Sequence, residues 1–574
     1  MRILQQHLDF IEYEPIGKEI SAAEEIPDKK KQRYEELVAL FVSVEPGDDD
    51  EVVKKAVEGT KSFLEKLKVK RIIIYPYAHL SQNLARPKDA LEVLKKMEAL
   101  ARESGLETYR APFGWNKAFQ IKVKGHPLAE QSRIYSSAAP GAAPPKAEVA
   151  PAHERKPQQE MTEDQLFARI KKSDFAGLPE TDHRIIGERL DLFSFQETSP
   201  GMVYWHNKGL KLRNLLIEFM RGELAKGGYI EISTPALVSN ALWKVSGHWD
   251  HYKQNLFLTD MGGEEFGLKP MNCPPTMLYY RTRRWSFREL PLRVSCFDHL
   301  YRNELSGVAS GLFRVKAFSQ DDAHIFVAEE QVEDEVKRMI DLLDRVFKTF
   351  GMEYKLNLST MPDDHIGDRE FWEKAEGILA RVMEAKGIPY KVKDKDGAFY
   401  GPKIDVDIKD SMGREWQNST IQLDYQLPQR FKLSYAGSDG KDHTPVVIHR
   451  AIFGSLERFI GVYTEHVQGK FPVWIAPVQV RVLPVSDENK AYAEKVAQAL
   501  ADGGIRVERD FASGTIGGKI RDAQLQKTPY MVVIGSKEEQ AGSIAVRARD
   551  GDVRYGVKLE DFIAEVAEKT RTHS

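Results

Sequence analysis

Apolar residues recur along this chain in two rhythms separated by one pause. Before residue 136, strand-like runs at Val38–Val44, Arg71–Tyr75 and Ala118–Val123 alternate with Glu51–Lys68 and Lys88–Glu103, where apolar positions return every three or four residues. This predicts a compact α/β domain. In Ser136–Ala152, SSAAPGAAPPKAEVAPA, Ala and Pro crowd together and large apolar residues nearly vanish. Such a segment cannot bury a core and reads as an extended linker. A long section of apolar helices rich in arginines and aromatics follows. From Pro472, the runs VQVRVLPVS, IRVERD, PYMVVIG and SIAVRA alternate with helices over Glu488–Ala501 and near Gly517–Gln526, which predicts a mostly parallel sheet covered by helices. The expected units are residues 1–135, a linker at 136–160, 161–471 and 472–574.

Composition narrows the class. A chain of 574 residues is too long for one core, since domains average roughly 150 residues. Its 83 Lys and Arg against 86 Asp and Glu leave a formal charge of −3, so a polyanion must be met by local patches rather than by a global field. Two cysteines, Cys273 and Cys296, imply no disulfide framework and fit a reducing compartment. MRILQQHLDF has no cationic lead into an apolar run, and no stretch approaches the ~20 apolar residues of a membrane span. A soluble, cytoplasmic protein is expected.

The candidate chemistry is densest in Phe297–His324, FDHLYRNELSGVASGLFRVKAFSQDDAH. A strand end delivers Arg302 and Glu304, a Gly/Ser-rich loop turns, and a second strand carries Arg314, Phe318, Gln320 and Asp322. Alternation puts Phe318, Gln320, Asp322 and His324 on one face. Arginine forks match phosphate oxygens and a flat ring can stack on a base; a solvated hairpin with surface ion pairs is the other reading. The segment resembles motif 2 of class II aminoacyl-tRNA synthetases. HRAIFGSLERFIG, His449–Gly461, resembles motif 3, an apolar strand leading into a Gly-started helix, and GGYIEISTPAL, Gly227–Leu237, resembles motif 1. The resemblance implies that Arg302 holds the α-phosphate of ATP, Glu304 the adenine amino group, Arg314 and Arg458 the γ-phosphate, that Phe318 stacks on the base, and that Mg²⁺ accompanies ATP. It also implies a homodimer through motif 1, with Pro235 at its interface.

Cys273 in KPMNCPP, His324, and His449 at the end of VVIH form a possible metal set, one thiolate and two imidazoles, leaving a fourth tetrahedral position open. Each taken singly also reads as a buried Cys or a core His. Together MNCP, QDDAHIF, FYGPKIDV, WQNSTIQLD and IHRAIFGS resemble the threonyl-tRNA synthetase family. In that family the three residues hold Zn²⁺, which takes the amino group and hydroxyl of L-threonine. A hydrophobic pocket separates near-isosteres such as valine by only about a hundredfold, whereas a Lewis acid that demands a hydroxyl rejects valine. The resemblance further implies that Asp322 binds the amino group, that Gln320, Tyr400, Gln422 and Lys403 surround the reacting carboxylate with Gln417 nearby, and that His248 of SGHW lies near the terminal ribose. Asn418 stands where some relatives carry cysteine. His251 completes an HxxH with His248 that carries little on its own, and Cys296 reads as a small core residue.

A metal that tests for a hydroxyl also passes serine, which lacks one methyl, worth roughly 1–3 kcal/mol. Editing is therefore expected. YPYAHLSQNLA and APFGWNKAFQIKVKGHPLAEQSR resemble the editing domain of archaeal-type threonyl-tRNA synthetases, itself similar to D-aminoacyl-tRNA deacylases. The resemblance points to His79, Lys117 and Glu130 as editing residues acting on seryl-tRNA(Thr). Relatives often have Tyr where this chain has Asn116, and HSDY where it reads HLDF, with Leu8 in the serine position. The section from Trp474 resembles an anticodon-binding domain, with Lys527, Glu538 and Arg547 at base-reading positions for tRNA(Thr). The implied fold is α/β and α+β multidomain: a deacylase-like α/β domain, an antiparallel class II catalytic sheet and a C-terminal α/β domain. A proline or serine enzyme of the subclass is the rival within enzymes, and a non-catalytic binding paralogue the rival outside them. The metal set argues against the proline enzyme, the C-terminal domain against the serine enzyme, and Arg302, Arg314, Lys403 and Arg458 against the paralogue.

Overall fold

The computed structural model describes residues 1–20, 23–26, 28–81, 83–124, 129–135, 177–304 and 310–574, without the side chains of residues 79, 250 and 251. The expected linker lies outside the described residues. Contacts divide the chain into two compact units, Met1–Glu160 and Met161–Ser574.

The first unit is built on a six-stranded sheet. Its spatial order is Glu107–Arg110, Arg71–Pro76, Gln32–Ser43, Arg2–Lys18, Trp115–Val123, with Glu130–Ile134 also paired to Arg2–Lys18. The helices Asp50–Leu67 and Pro87–Glu103 bury Val53, Val57, Leu64, Leu94 and Met97 into one cluster. Asp49 caps the first helix by accepting from the N–H groups of Glu51 and Val52. A second cluster holds Leu8, Tyr13, Phe41 and Tyr75, with Tyr77 and Tyr34 packed against it. The strand Arg2–Lys18 was not foreseen. Its buried positions do not alternate, and it bends at register shifts between Leu8 and Phe10 and between Pro15 and Gly17, so the two-residue period that marks a half-buried strand is missing.

The second unit centres on a nine-stranded sheet. Its main path runs Tyr390–Lys393, Glu353–Ser359, Lys403–Lys409, Glu415–Asp424, Val446–Ser455, Ala317–Val327, Leu292–Cys296, Ile230–Glu231, and His299–Tyr301 pairs with Ala317–Val327. Pairing is antiparallel except at the two ends of the path. Helices Asn207–Lys226, Val332–Phe350, Arg369–Ala385 and Leu456–His466 pack on it. Val332–Phe350 shows why: Val336, Met339, Ile340, Leu343, Val346, Phe347 and Phe350 fall on one stripe, all buried.

The C-terminal sheet, in order Val507–Arg509, Val480–Pro484, Tyr530–Ile534, Ile544–Ala548, Val553–Val557, corrects the expectation of a mostly parallel sheet. Two pairings are parallel and two antiparallel. The turn around Asp550 and Gly551, where Gly551 takes φ +109°, closes a hairpin that needs no helical crossover. Among the described residues no helix is long and apolar enough to cross a membrane.

Candidate functional site

Sheet register assembles residues that sequence spacing leaves apart. On successive strands of the second unit, Lys403 stands opposite Gln422, Gln422 opposite His449, and His449 opposite His324. Directly opposed residues present their side chains to the same face, so one rung carries four of the expected site residues. Cys273 arrives from the first turn of helix Cys273–Tyr280. Ligand atoms of Cys273, His324 and His449 all lie within 4.8 Å of one another, and all three residues are buried.

The chemistry of this cluster fits a metal ion. Nδ1 of His449 and both ring nitrogens of His324 are buried without a hydrogen-bonding oxygen or nitrogen, a costly arrangement unless something else takes the lone pairs. Nε2 of His449 is held at 2.9 Å by Asp424, whose other oxygen accepts from the N–H groups of Gln426 and Leu427. That pairing turns Nδ1 toward the cluster. Burial pushes the Cys273 thiol up, but the facing imidazoles of His449 and His324 bring it down to about 7. Burial opposes charge on His449, yet Cys273 and Asp424 hold it up at about 10.

Around the cluster, Asn272 donates to Asp322 at 3.1 Å and the Tyr400 hydroxyl donates to Gln422. Burial, with the nearby Cys273 and Asp424, raises the Tyr400 phenol well above its usual value. Lys403 pairs with Asp405 at 2.7 Å. Gln320 is half-buried opposite Ser455, and Gln417 is exposed on the strand that carries Gln422. His248 is buried as the first residue of a short helix, its ring near Phe399 and Tyr400.

The arginine-bearing hairpin is partly as expected. Phe318 is buried on strand Ala317–Val327 with the Arg302 guanidinium 5.1 Å from its ring centre. Arg314 is a correction: it lies in the turn before the strand, which begins only at Ala317, and it pairs with Glu304 at 2.8 Å. Motif 3 differs in a similar detail. Ser455, not glycine, caps its helix, and Gly454 precedes it at φ +63°. Arg458 is lowered by burial and further by the charge of Arg314, so two guanidiniums face one region. Ile230 and Pro235 of motif 1 are exposed at the end of the sheet.

Three side chains that hold the site residues in place are not marked by the sequence. Asp424 shares the alternation of Thr420 and Gln422, which was the available signal. Asn272 adjoins Cys273. Asp321 accepts from the N–H groups of Ile452 and Phe453 at 2.9 Å each, while Asn418 and Ser419 donate to the carbonyls of the same two residues. Together they clamp the irregularity in register just before Arg458, and no local pattern announces that.

In the first unit a cavity of about 410 Å³ is lined by Ser43, Tyr75, Tyr77, Trp115, Asn116, Lys117 and Phe119, among others. Lys117 Nζ donates to the carbonyls of Pro112 and Trp115 at 2.9 Å each and sits 5.0 Å from the Tyr75 ring centre. Burial lowers its amine to about 8. The side chain of His79 is outside the described residues; its backbone lies in the turn Ala78–Leu80, beside cavity-lining Tyr77 and Ala78. Glu130 accepts from Gln6 and is not part of the lining. Leu8 is fully buried in the aromatic cluster.

The anticodon candidates are not brought together. Glu538 caps its own helix through the N–H of Gly535, after strand Tyr530–Ile534, and Arg547 lies on the neighbouring strand opposite Met531. Lys527 precedes that strand, at its other end, among Arg189, Lys470 and Arg549, which with burial lower its amine.

An antiparallel sheet carrying an arginine hairpin, a capped arginine helix and a buried thiol–imidazole cluster defines a class II synthetase core. In agreement, residues 252–467 match the family described as the tRNA synthetase class II core domain (G, H, P, S and T). Residues 1–134 match the archaea-specific editing domain of threonyl-tRNA synthetase, and 479–569 an anticodon binding domain. The solved RNA binding domain of threonyl-tRNA synthetase from Cryptosporidium parvum Iowa II is 41% identical with a TM-score of 0.66, covering 67% of this chain and 98% of that one. The chain belongs to the threonyl-tRNA synthetase family. Threonine–tRNA ligases of Caldanaerobacter subterraneus subsp. tengcongensis and Carboxydothermus hydrogenoformans are 50% and 48% identical over 68% of this chain. The chain spans 61% and 62% of their lengths.

Proposed function

We propose that the chain is a threonine–tRNA ligase that activates L-threonine with ATP, transfers it to tRNA(Thr), and edits seryl-tRNA(Thr) with its first 135 residues. The observation that carries this is the rung Lys403, Gln422, His449, His324, facing Cys273, with buried imidazole nitrogens left for a ligand. Cys273, His324 and His449 would hold Zn²⁺, which when bound supplies a Lewis-acid position for a side-chain hydroxyl. Asp322, oriented by Asn272, takes the amino group, and Gln320, Tyr400, Gln422 and Lys403 surround the carboxylate.

A threonine carboxylate oxygen attacks the α-phosphorus of Mg²⁺-bound ATP, the bond to pyrophosphate breaks, and pyrophosphate leaves. Arg302 stabilises the α-phosphate, Arg314 and Arg458 bracket the γ-phosphate, Glu304 and Gln417 serve the nucleotide, and Phe318 stacks on its base. A terminal ribose hydroxyl of tRNA then attacks the carbonyl and AMP leaves, with His248 close to that ribose. Lys117 and His79 serve editing in the N-terminal cavity, with Glu130 a weaker candidate since it does not line it. Residues 472–574 read the anticodon, with Lys527 and Arg547 toward one end of strand Tyr530–Ile534 and Glu538 beyond the other. The exposed motif 1 edge with Pro235 supports a homodimer, and two buried free cysteines suit the cytoplasm.

The test is ATP–pyrophosphate exchange with threonine and with valine, before and after zinc removal. Exchange with threonine alone, lost with the metal and restored by zinc, is expected. Equal exchange with valine would refute selection through the hydroxyl.

A further inference from the structure

We infer that His183 is a positioning residue for ATP, tying the loop that carries Arg314 to the helix that carries Arg458. The inference rests on the ATP site proposed above. The imidazole is fully buried. Its Nδ1 lies 2.7 Å from Oε1 of Glu465, on the last turn of helix Leu456–His466, and its Nε2 lies 2.9 Å from the backbone nitrogen of Leu312. A backbone N–H can only donate, so Nε2 is the acceptor and the ring proton sits on Nδ1, where it serves Glu465. The same Glu465 oxygen accepts the backbone N–H of His183 at 2.9 Å, and the other accepts from Arg414. Asp182, His183 and Glu465 are close enough together to suggest a metal set. Both imidazole nitrogens are already committed to hydrogen bonds, however, so the trio is a relay between elements.

Packing around the relay points the same way. The His183 ring lies 4.1 Å from Phe313, Phe313 lies 4.5 Å from Trp416, and the Arg458 guanidinium lies 5.9 Å from Trp416. Two glycines make the approach possible. At Gly311, with φ +52°, a Cβ would sit 2.3 Å from Nε2 of His183; at Gly461, within the Arg458 helix, it would sit 3.1 Å from Cβ of Leu312. The loop needs such an anchor. Strand pairing begins only at Ala317, and Arg314 is half-exposed, held by Glu304 on the same hairpin. A γ-phosphate gripped by two guanidiniums from separate elements requires those elements to keep a fixed spacing.

The experiment is ATP–pyrophosphate exchange by the full chain, with KM measured separately for ATP and threonine. His183→Asn keeps an amide near Nδ1 for Glu465 but falls short of Leu312; His183→Gln places a carbonyl oxygen near Nε2. His183→Asn is expected to raise the ATP KM about tenfold, since modest misplacement of a phosphate ligand is costly, with threonine KM unchanged. His183→Gln should recover most of the loss, and Gly311→Ala, which crowds Nε2 from a surface turn, should reproduce the ATP-selective defect even if His183→Asn fails to accumulate. Equal changes in both KM values, or no difference between Asn and Gln, would overturn the inference. A wild-type chain without threonine-dependent exchange would instead overturn the proposed function, and this inference with it.

Discussion

In the sheet of the second unit, both ring nitrogens of His324 and Nδ1 of His449 lie buried beside the Cys273 thiol without a hydrogen-bonding oxygen. In the N-terminal cavity, the buried Lys117 amine is held by two main-chain carbonyls. The first arrangement leaves polar atoms unpaired, a free-energy cost that a bound ion would offset. The second is complete by itself. The editing role proposed for it would rest on where the amine is held and on the shape of the aromatic cavity around it. The two sites should therefore fail differently when a single group is removed.

The largest effect is expected at the incomplete site. Cys273→Ser should abolish stoichiometric zinc, read by metal analysis, and lower threonine-dependent exchange by about 10³-fold, since a Lewis acid contributes several kcal/mol and each 1.36 kcal/mol is tenfold. Retained exchange without zinc would erase the contrast. At the complete site, Lys117→Met should slow seryl-tRNA deacylation by about 100-fold, the lower end for a lost general acid–base group, while exchange stays at the wild-type rate. Unchanged deacylation with a lowered melting temperature would make Lys117 a structural residue. Asp424→Asn preserves shape and can still accept from Gln426 and Leu427, but it loses the charge that fixes His449. Zinc affinity, read by competition with a chelating dye, should fall by about tenfold.

The difference between the sites also decides what could be read beforehand. Cys273, His324 and His449 were legible as residue types and by resemblance, but their convergence depends on the register of two strands and the placement of a helix start, which no local pattern encodes. An isolated histidine at the start of a short helix, as His183 is, carries no signal until Leu312 and Glu465 are folded onto it. The N-terminal unit was legible where one face alternates or a helical stripe repeats, as in Asp50–Leu67. It was not legible in Arg2–Lys18, a bent strand whose buried positions break the alternation, nor in the carbonyl cage of Lys117, which is made of backbone. The mixed C-terminal sheet shows the same limit: alternating strands and helices suggested parallel pairing, but after the short helix Ser536–Ala541 strand Ile544–Ala548 returns antiparallel to Tyr530–Ile534, and a hairpin adds a second antiparallel pairing.

The smallest expected effect concerns protons at the complete site. Burial lowers the Lys117 amine to about 8, and the carbonyl cage does not restore the charge that water would support. Above that value the folded chain holds the amine neutral, while the unfolded chain keeps it protonated up to the ordinary lysine value. The unfolded state therefore binds more protons through this interval, and linkage makes the Lys117 contribution to stability rise as pH increases from about 8. Below it both states are charged, and the full penalty of burying the ammonium remains. Lys117→Met removes the penalty and its titration. Thermal melts of wild type and Lys117→Met should thus lie furthest apart, with the variant more stable, at pH 7 and converge toward alkaline pH. A constant separation would mean that the amine is not desolvated as the cavity geometry implies, and that the two sites differ less in their burial of charge than in the metal alone.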